Sequence, residues 1–306
     1  MFGKSFSPDN DIEDLSQRVI LVTGGNAGLG REAVYQLAKH NPSHIYLAAR
    51  TPTKGEAAVT EIKDAVPSAR ISFLPLDLAS FESISSAVEI FTSKSKRLDI
   101  LMNNAGIMAT PSGTTEEGYE IQFGTNHMGH ALLTKLLLPT LLSTAKEPGS
   151  HVRIVNLTSE GHRLAPSGGC PLEKSTLDSA GPWGRYGHSK LANILFTKEL
   201  ASRYPDITSV AVHPGLIKTD LYTPNASSSI IMKYGMMALG PFMKTASSGG
   251  AFNQLWAATA PNTGLTNGGY YTPVATLSKP SGYGQDGKMA RELWDWTEKE
   301  LASKGY

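Results

Sequence analysis

A tyrosine and a lysine four residues apart, Tyr186 and Lys190 in the run YGHSK, form the pair whose spacing points most directly to chemistry. On a helix, positions i and i+4 share a face. A phenol has an ordinary pKa of about 10, and bringing it to about 7 takes roughly 4 kcal/mol at 1.36 kcal/mol per unit. A positive charge about 4 Å away supplies on the order of 4 kcal/mol at an effective dielectric of 20. A lysine on the same face can therefore tune a tyrosine for proton transfer near neutral pH. The same spacing also describes a pair on a solvated helix face, so the surrounding residues decide between the two readings.

The second chemical signal is TGGNAGLG at positions 23–30, placed where a buried strand, VILVT, turns into a helix. Glycines there let the backbone turn tightly and approach a pyrophosphate, whose charge is met by amides at the helix N-terminus. A tight strand-to-helix turn with no ligand uses glycine for the same conformational reason. The spacing Gly24, Gly28, Gly30 places three residues between the first two glycines, unlike the common G-x-G-x-x-G fingerprint.

This T-G-x-x-x-G-x-G form resembles the short-chain dehydrogenase/reductase family. The resemblance runs from about Arg18 to Thr219, with the glycine turn, NNAG, an asparagine, a serine and YxxxK in the family's order. It implies a nicotinamide cofactor, with Thr23, Gly24, Gly28 and Gly30 building its turn and Leu29 beside the nicotinamide half. Asp77 and Leu78, which close a third strand, match residues lining the adenine pocket. Asn103-Asn104-Ala105-Gly106 closes a fourth strand as NNAG, placing Asn104, Ala105 and Gly106 at the cofactor. Pro214 and Gly215 would turn the chain under the nicotinamide, and Ile217 and Thr219 would meet its carboxamide.

The catalytic set implied by the same resemblance is Tyr186, Lys190, Ser159 and Asn126. Ser159, after NLT, would hold the substrate oxygen against Tyr186, although a serine here also suits a helix cap. Asn126, in FGTNHMGH, would help hold a water linked to Lys190. The second strand ends AAR: Ala49 stands where the family carries an acidic residue, and Arg50 with Lys54 would pair with a 2′-phosphate, favouring NADP(H) over NAD(H). Otherwise Arg50 would stack on the adenine and Lys54 would be solvated. Within the family, FGTNHMGH, YGHSKLANILFTKEL and HPGLIKTDL are most similar to the retinol-dehydrogenase-like branch, without the membrane anchor some of its members carry.

The elements that must position these residues alternate. After a polar N-terminal arm over 1–17 come strand VILVT, helix GLGREAVYQLAKH, strand HIYLAAR, helix KGEAAVTEIKDAV, strand ISFLPLDL and helix FESISSAVEIFTSK. Strand DILMNNAG, a long helix through ALLTKLLLPTLL, strand HVRIVNLTS, helix YGHSKLANILFTKELASRY and strand TSVAVHPG follow. An irregular apolar stretch, then helix-like SGGAFNQLWAATA, strand-like GGYYTPV and helical RELWDWTEKELASK complete the chain. This β-α alternation predicts a Rossmann-type, doubly wound, mostly parallel α/β sheet of seven strands with helices on both faces. No repeat or linker divides the chain, so 1–306 is expected to be one domain, although its length also accommodates two small ones.

The segment 221–244 falls where the family places its substrate lid. Its Ile230, Ile231, Met232, Met236, Met237, Leu239, Phe242 and Met243 would make an adaptable apolar cover, or else pack on the sheet or a second subunit. His127 and His130 sit three apart on a helix, but no spaced carboxylate or thiol completes a metal set, and no metal is expected. His188 lies on another helical face from Tyr186 and Lys190 and is expected to pack. Trp294 and Trp296 are expected in the core or a subunit contact.

With 40% hydrophobic and 18% charged residues and a formal net charge of +1, the chain has neither the basic excess of a nucleic-acid binder nor a polybasic membrane patch. The sole cysteine, Cys170, excludes an internal disulfide and points to a reducing compartment. No stretch reads as a signal peptide or membrane span, so a cytoplasmic protein is expected, and the triplets Asn156-Leu-Thr and Asn225-Ala-Ser are read as chance. The expected reaction is hydride transfer between NADPH and the carbonyl of a small apolar ketone or aldehyde, or the reverse. Alternatives are an NAD-preferring alcohol dehydrogenase and a non-catalytic dinucleotide-sensing protein. A homodimer or homotetramer is the expected assembly.

Overall fold

The computed structural model describes residues 5–172, 174–215, 217, 245–261 and 264–306. Thr219 and the proposed cover at 221–244 therefore lie outside the described residues. Eight strands form one sheet: β1 Val19–Thr23, β2 His44–Ala49, β3 Ile71–Pro75, β4 Ile100–Asn103, β5 Arg153–Leu157, β6 Thr208–Val212, β7 Tyr270–Thr272 and β8 Thr276–Ser278. Their order is β3-β2-β1-β4-β5-β6-β7-β8. All neighbours are parallel except β7 and β8, which form an antiparallel hairpin. The seven-strand expectation is corrected by β8: three residues, two of them polar, show no alternation, and β-α counting does not register a hairpin strand.

The principal helices are α1 Gly28–Ala38, α2 Pro52–Ala65, α3 Phe81–Lys94, α4 Gly129–Ala145, α5 Gly181–Arg203, α6 Phe252–Thr259 and α7 Gly287–Ser303. Two apolar cores lie on opposite faces of the sheet, and the strands divide between them by alternation. Ile20, Val22, Ile45, Leu47, Ile100 and Met102 pack toward α1, α2 and α6. Leu21, Tyr46, Ala48, Leu101 and Ile154 face the other way, toward α3, α4, α5 and α7. Because both faces are covered, β1 is buried at every residue.

Two further differences from the sequence reading have clear causes. The N-terminal arm is not polar throughout its packing: Ile12 and Leu15 are buried in the core shared with α1, α2 and α6, and the Leu15 N–H donates to the His40 carbonyl at 2.8 Å. Two apolar residues among charged ones carry no periodic signal. The long central helix is also not uniform, since Gly124–Met128 forms a π-helical turn immediately before α4.

At the centre of the sheet, a polar ladder crosses from helix to helix. Asn103 on β4 and Asn156 on β5 are register partners, and the Asn103 amide donates to Asn156 Oδ1 at 2.8 Å and to Thr134 Oγ1 of α4 at 3.1 Å. The Asn156 amide donates to Thr197 Oγ1 of α5 at 3.0 Å. Buried amides cost free energy unless paired, so this ladder ties α4 and α5 to fixed points on β4 and β5.

The outer face of α5 is covered by α7. Trp294 stacks on Phe196 with ring centroids 5.3 Å apart and an interplanar angle of 16°, and the Arg203 guanidinium lies 4.8 Å from the Trp294 ring centroid. Trp296 packs edge-on to Tyr119 and beside Phe123. Both tryptophans are therefore packing residues. Trp294→Ala removes a buried aromatic side chain and is expected to destabilise the protein by about 3–5 kcal/mol. The check is chemical denaturation, and a loss below 1 kcal/mol would show that α7 contributes little to the core.

Candidate active site

The chain order reverses between β1 and β4, so a crevice opens at their carboxyl ends, where open α/β sheets bind ligands. A cleft of about 280 Å³ lies there, walled by the glycine turn, Asn104, Ala105, Gly106, Tyr186, Lys190 and Pro214. A second cleft of about 500 Å³ lies beyond Gly28, lined by Arg31, Tyr35, Glu61 and Thr245 among others. It contains neither Tyr186 nor Lys190.

β1 ends in Thr23, which is buried behind the wall of the first cleft. The Thr23 hydroxyl accepts the N–H groups of Asn104 and Ala105, both at 3.0 Å, and the Asn104 amide donates to the Thr23 carbonyl at 2.8 Å. Gly24 and Gly28 have φ of 66° and 51°, a region that strains side-chain-bearing residues. A Cβ on Gly30 would come within 2.2 Å of the Gly24 carbonyl oxygen, so the helix start can lie against the turn only as glycine. Nothing lies within 4 Å of the position a Cβ would take on Gly28. No side chain caps α1, whose N-cap is Ala27, and Gly28, Leu29 and Gly30 of its first turn line the cleft. These residues fit a dinucleotide pyrophosphate: a cradle cleared of side chains, with uncapped amides at the start of an 11-residue helix.

Gln254 of α6, which the sequence does not single out, donates to Asn104 Oδ1 and to the Leu29 carbonyl, each at 3.2 Å. Leu29, Ile217 and Gly250 converge, since a Cβ on Gly250 would lie 3.0 Å from both side chains. Gly215 turns at φ 101° beside Pro273. An isolated glutamine or glycine in an apolar helix start has no distinguishing spacing, which is why neither was expected.

Of the expected cofactor residues, Thr23, Gly215 and Ile217 flank the 280 Å³ cleft without lining it, and Arg50, Lys54, Asp77 and Leu78 stand farther along the sheet edge. Ala49 closes β2 in the core, Arg50 follows it exposed, and Lys54 is exposed in the first turn of α2. Asp77 is half-buried, accepting the Ala79 N–H at 2.9 Å, while Leu78 is buried with its carbonyl against Gly129. They line the carboxyl ends of β2 and β3, beyond the glycine turn.

α5 supplies Tyr186 and Lys190, which are 8% and 5% exposed. The Lys190 ammonium lies 5.8 Å from the Tyr186 ring centroid and donates to the Leu157 carbonyl at 3.2 Å, the last residue of β5. Burial lowers its pKa to about 8. A Cβ on Gly106 would lie 3.2 Å from Lys190 Nζ and 3.1 Å from Asn126 Oδ1, so a side chain there would push on both by a few tenths of an ångström. The Tyr186 ring packs against Gly161, and Trp183 stands edge-on to it with centroids 6.2 Å apart.

Ser159 caps the short helical turn Glu160–Leu164, its Oγ accepting the Gly161 N–H at 3.0 Å. The cap is thus observed, and because it only accepts, it leaves the hydroxyl proton for another oxygen. His162 holds its main chain: Nδ1 donates to the Ser159 carbonyl at 2.7 Å, and Nε2 accepts the Ser281 N–H at 2.9 Å. Asn126 lies in the π-helical turn. Its Oδ1 accepts the Ile107 N–H at 2.8 Å, and its Nδ2 donates to the Ile107 carbonyl and to Ser189 Oγ, both at 2.9 Å.

The three histidines weighed in the sequence, His127, His130 and His188, all have partners in the interior. His188 is buried beside Cys170 and Phe123. His127 meets Thr297, and His130 lies between Thr23 and Asn126. Among the described residues, no three His, Cys, Asp or Glu side chains gather as a metal site, and no helix is long and apolar enough to cross a membrane.

The likeness to known proteins covers nearly the whole chain. A family model described as short chain dehydrogenase matches residues 18–171. The chain is 37% identical over 306 residues to short-chain dehydrogenase/reductase drtF of Aspergillus calidoustus, covering 96% of each. It is 38% identical over 283 residues to retinol dehydrogenase 11 of Mus musculus, covering 92% of this chain and 85% of the relative. Among solved structures, a protein from Mycobacterium paratuberculosis superimposes with a TM-score of 0.74 at 29% identity, covering 98% of this chain and 97% of that one. A glycine turn cleared for a dinucleotide, a tyrosine and a buried lysine on one helix, and this extent of likeness agree: the chain belongs to the short-chain dehydrogenase/reductase family, in its retinol-dehydrogenase-like branch, and is an oxidoreductase acting on alcohol and carbonyl groups.

Proposed function

We propose that the chain is an NADP(H)-dependent oxidoreductase that reduces the carbonyl of an apolar ketone or aldehyde to the alcohol, and runs the reverse with the same groups. The observation that carries the cofactor preference is the tip of β2. Ala49 stands where a carboxylate would favour NAD, and the exposed Arg50 and Lys54 have no ion pair among the described residues. A guanidinium and an ammonium left in this way at the ribose end suit a 2′-phosphate. An apolar substrate is supported by retinol dehydrogenase 11 and retinol dehydrogenase 12 of Mus musculus as relatives, at 38% and 35% identity.

When bound, the nicotinamide supplies or accepts the hydride at the substrate carbon. Tyr186, which lines the cleft with Leu157, Thr158 and Pro214, gives the proton to the developing alkoxide oxygen. Ser159 holds that oxygen with the proton its cap leaves available. Lys190, charged below about pH 8, stabilises the phenolate that remains. Asn126, locked to Ile107, keeps the opposite wall of Lys190 in place.

Tyr186→Phe is expected to lower kcat/KM for carbonyl reduction by about 10²–10⁴-fold while leaving dinucleotide affinity near wild type. Retained turnover would remove Tyr186 from the chemistry. Purified protein that bound NADPH but oxidised none of it across a ketone and aldehyde panel would instead favour a dinucleotide sensor. Arg50→Asp is expected to cut the NADP-to-NAD ratio of kcat/KM by about 10–100-fold, the scale of one charge-assisted phosphate contact. An unchanged ratio would return the preference to NAD.

Lys190 also carries a pH signature. Its folded pKa, about 8, lies below the unfolded value, so between these the unfolded chain binds more protons. Stability should therefore rise with pH from about 8 toward the ordinary lysine pKa of about 10.4, while kcat for reduction falls as the ammonium is lost. Denaturation midpoints across this window should show the rise in wild type and lose it in Lys190→Met.

A further inference from the structure

Between the glycine turn and the π-helical turn lies a buried histidine that the reaction above does not use. His130 is 3% exposed and begins the first turn of α4. Its Nδ1 is 3.0 Å from the main-chain oxygen of Asn126. A carbonyl only accepts, so Nδ1 carries the proton. Burial lowers the imidazole pKa to about 4, with the Lys190 charge acting in the same direction, so the ring is neutral and Nε2 presents a lone pair. That lone pair is 2.9 Å from Thr23 Oγ1. Thr23 Oγ1 already accepts two N–H groups, and its other acceptor, the Met102 carbonyl, is more distant at 3.4 Å. The Thr23 proton therefore goes to His130.

These bonds meet on one short segment. Thr23 holds the start of Asn104–Ile107 through the Asn104 and Ala105 N–H groups, and Asn126 holds its end through both main-chain groups of Ile107. His130 grips both holders. Ala105 and Gly106, suspended between them, form a wall of the cleft, and a Cβ on Gly106 would lie 3.2 Å from Lys190 Nζ.

We propose that His130 is a positioning residue that sets the cofactor-facing segment Asn104–Ile107 and the Asn126 relay from a single imidazole, so that dinucleotide binding and proton transfer depend on it together. The inference rests on the nicotinamide reading of the cleft but not on the preference between NADP and NAD.

The test uses the full chain with His130→Asn, His130→Phe, Thr23→Val and the Thr23→Val/His130→Asn double variant. Asparagine keeps a donor near the Nδ1 position and loses the acceptor for Thr23, whereas phenylalanine keeps the ring volume and loses both. Affinities for NADPH and NADH are measured by titration, kcat on the best carbonyl substrate of the wild type, and thermal midpoints in parallel.

His130→Asn is expected to weaken both dinucleotides about tenfold with kcat within about threefold, and His130→Phe to weaken them as much and also lower kcat about tenfold or more. The double variant should bind no more weakly than the weaker of its parents, since they remove the same bond. Lowered midpoints with unchanged affinities and kcat would reduce His130 to a packing residue and overturn the proposal. Multiplying effects of Thr23→Val and His130→Asn would overturn it as well. If His130→Phe does not fold, the asparagine variant and the double variant decide. A wild type that binds neither dinucleotide would overturn the nicotinamide reading and this inference together, whereas normal binding with indifferent variants would sink only the inference.

Discussion

The structure is organised around a lysine ammonium removed from water. Taking a charge out of solvent costs several kcal/mol, and Lys190 is 5% exposed with its pKa lowered to about 8. The Leu157 carbonyl at the end of β5 accepts from Lys190 Nζ and also from the Asn193 amide one turn later on α5. A single strand-end oxygen thus fixes how α5 lies across the sheet. Thr158 Oγ1 donates to the Lys190 main-chain carbonyl at 2.7 Å, closing the same contact from the other side. Close approach is enforced by glycine: a Cβ on Gly187 would stand 2.6 Å from the Ala165 N and the Leu164 carbonyl carbon. The turn that carries Ser159 can therefore press against α5, and Tyr186 is brought to Ser159 by the same packing that buries Lys190.

A buried cation of this kind needs neighbours that do not move. The Asn103–Asn156 ladder holds α4 and α5 to adjacent strands at matched register, and the Arg185–Glu120 pair, buried on both sides at 3.2 Å, joins α5 to the segment entering the π-helical turn. Such pairs add little net stability compared with apolar packing, yet they admit few alternative arrangements. Polar groups at the sheet centre and apolar groups on both of its faces divide the labour between orientation and burial.

Much of this was legible in the chain because period and position carry it. The glycine spacing, the strand-end NNAG and the tyrosine-lysine interval are local patterns, and the structure brings Gly24, Gly28, Gly30, Asn104–Gly106, Tyr186 and Lys190 to one cleft, with Thr23 buried behind Asn104. Arg50 and Lys54 follow from the end of β2 and Asp77 and Leu78 from the family resemblance at the end of β3, and all four sit outside that cleft. What stayed hidden depends on partners distant in sequence. Nothing in the local spacing marks His130, His162 or Gln254, whose partners Thr23, Ser281 and Asn104 come from distant parts of the chain. The N-terminal arm was misjudged for the same reason: the burial of Ile12 and Leu15 is set by His40 and α6, not by their neighbours.

The π-helical turn at Gly124–Met128 has a consequence for exchanging parts between related chains. A turn bonded i to i+5 holds one residue more than an α-helical turn, and each residue of helix is worth about 100° of rotation. Removing a single residue there would leave a helix of nearly the same length and better regularity while swinging Asn126 away from Ile107. Helix length in this stretch thus acts as an angular setting, and a chimaera joined inside Gly124–Met128 inherits the orientation of one parent and the anchor points of the other. Crossovers that preserve the site belong before Glu120 or beyond Thr134, where the helix on each side can keep its own phase.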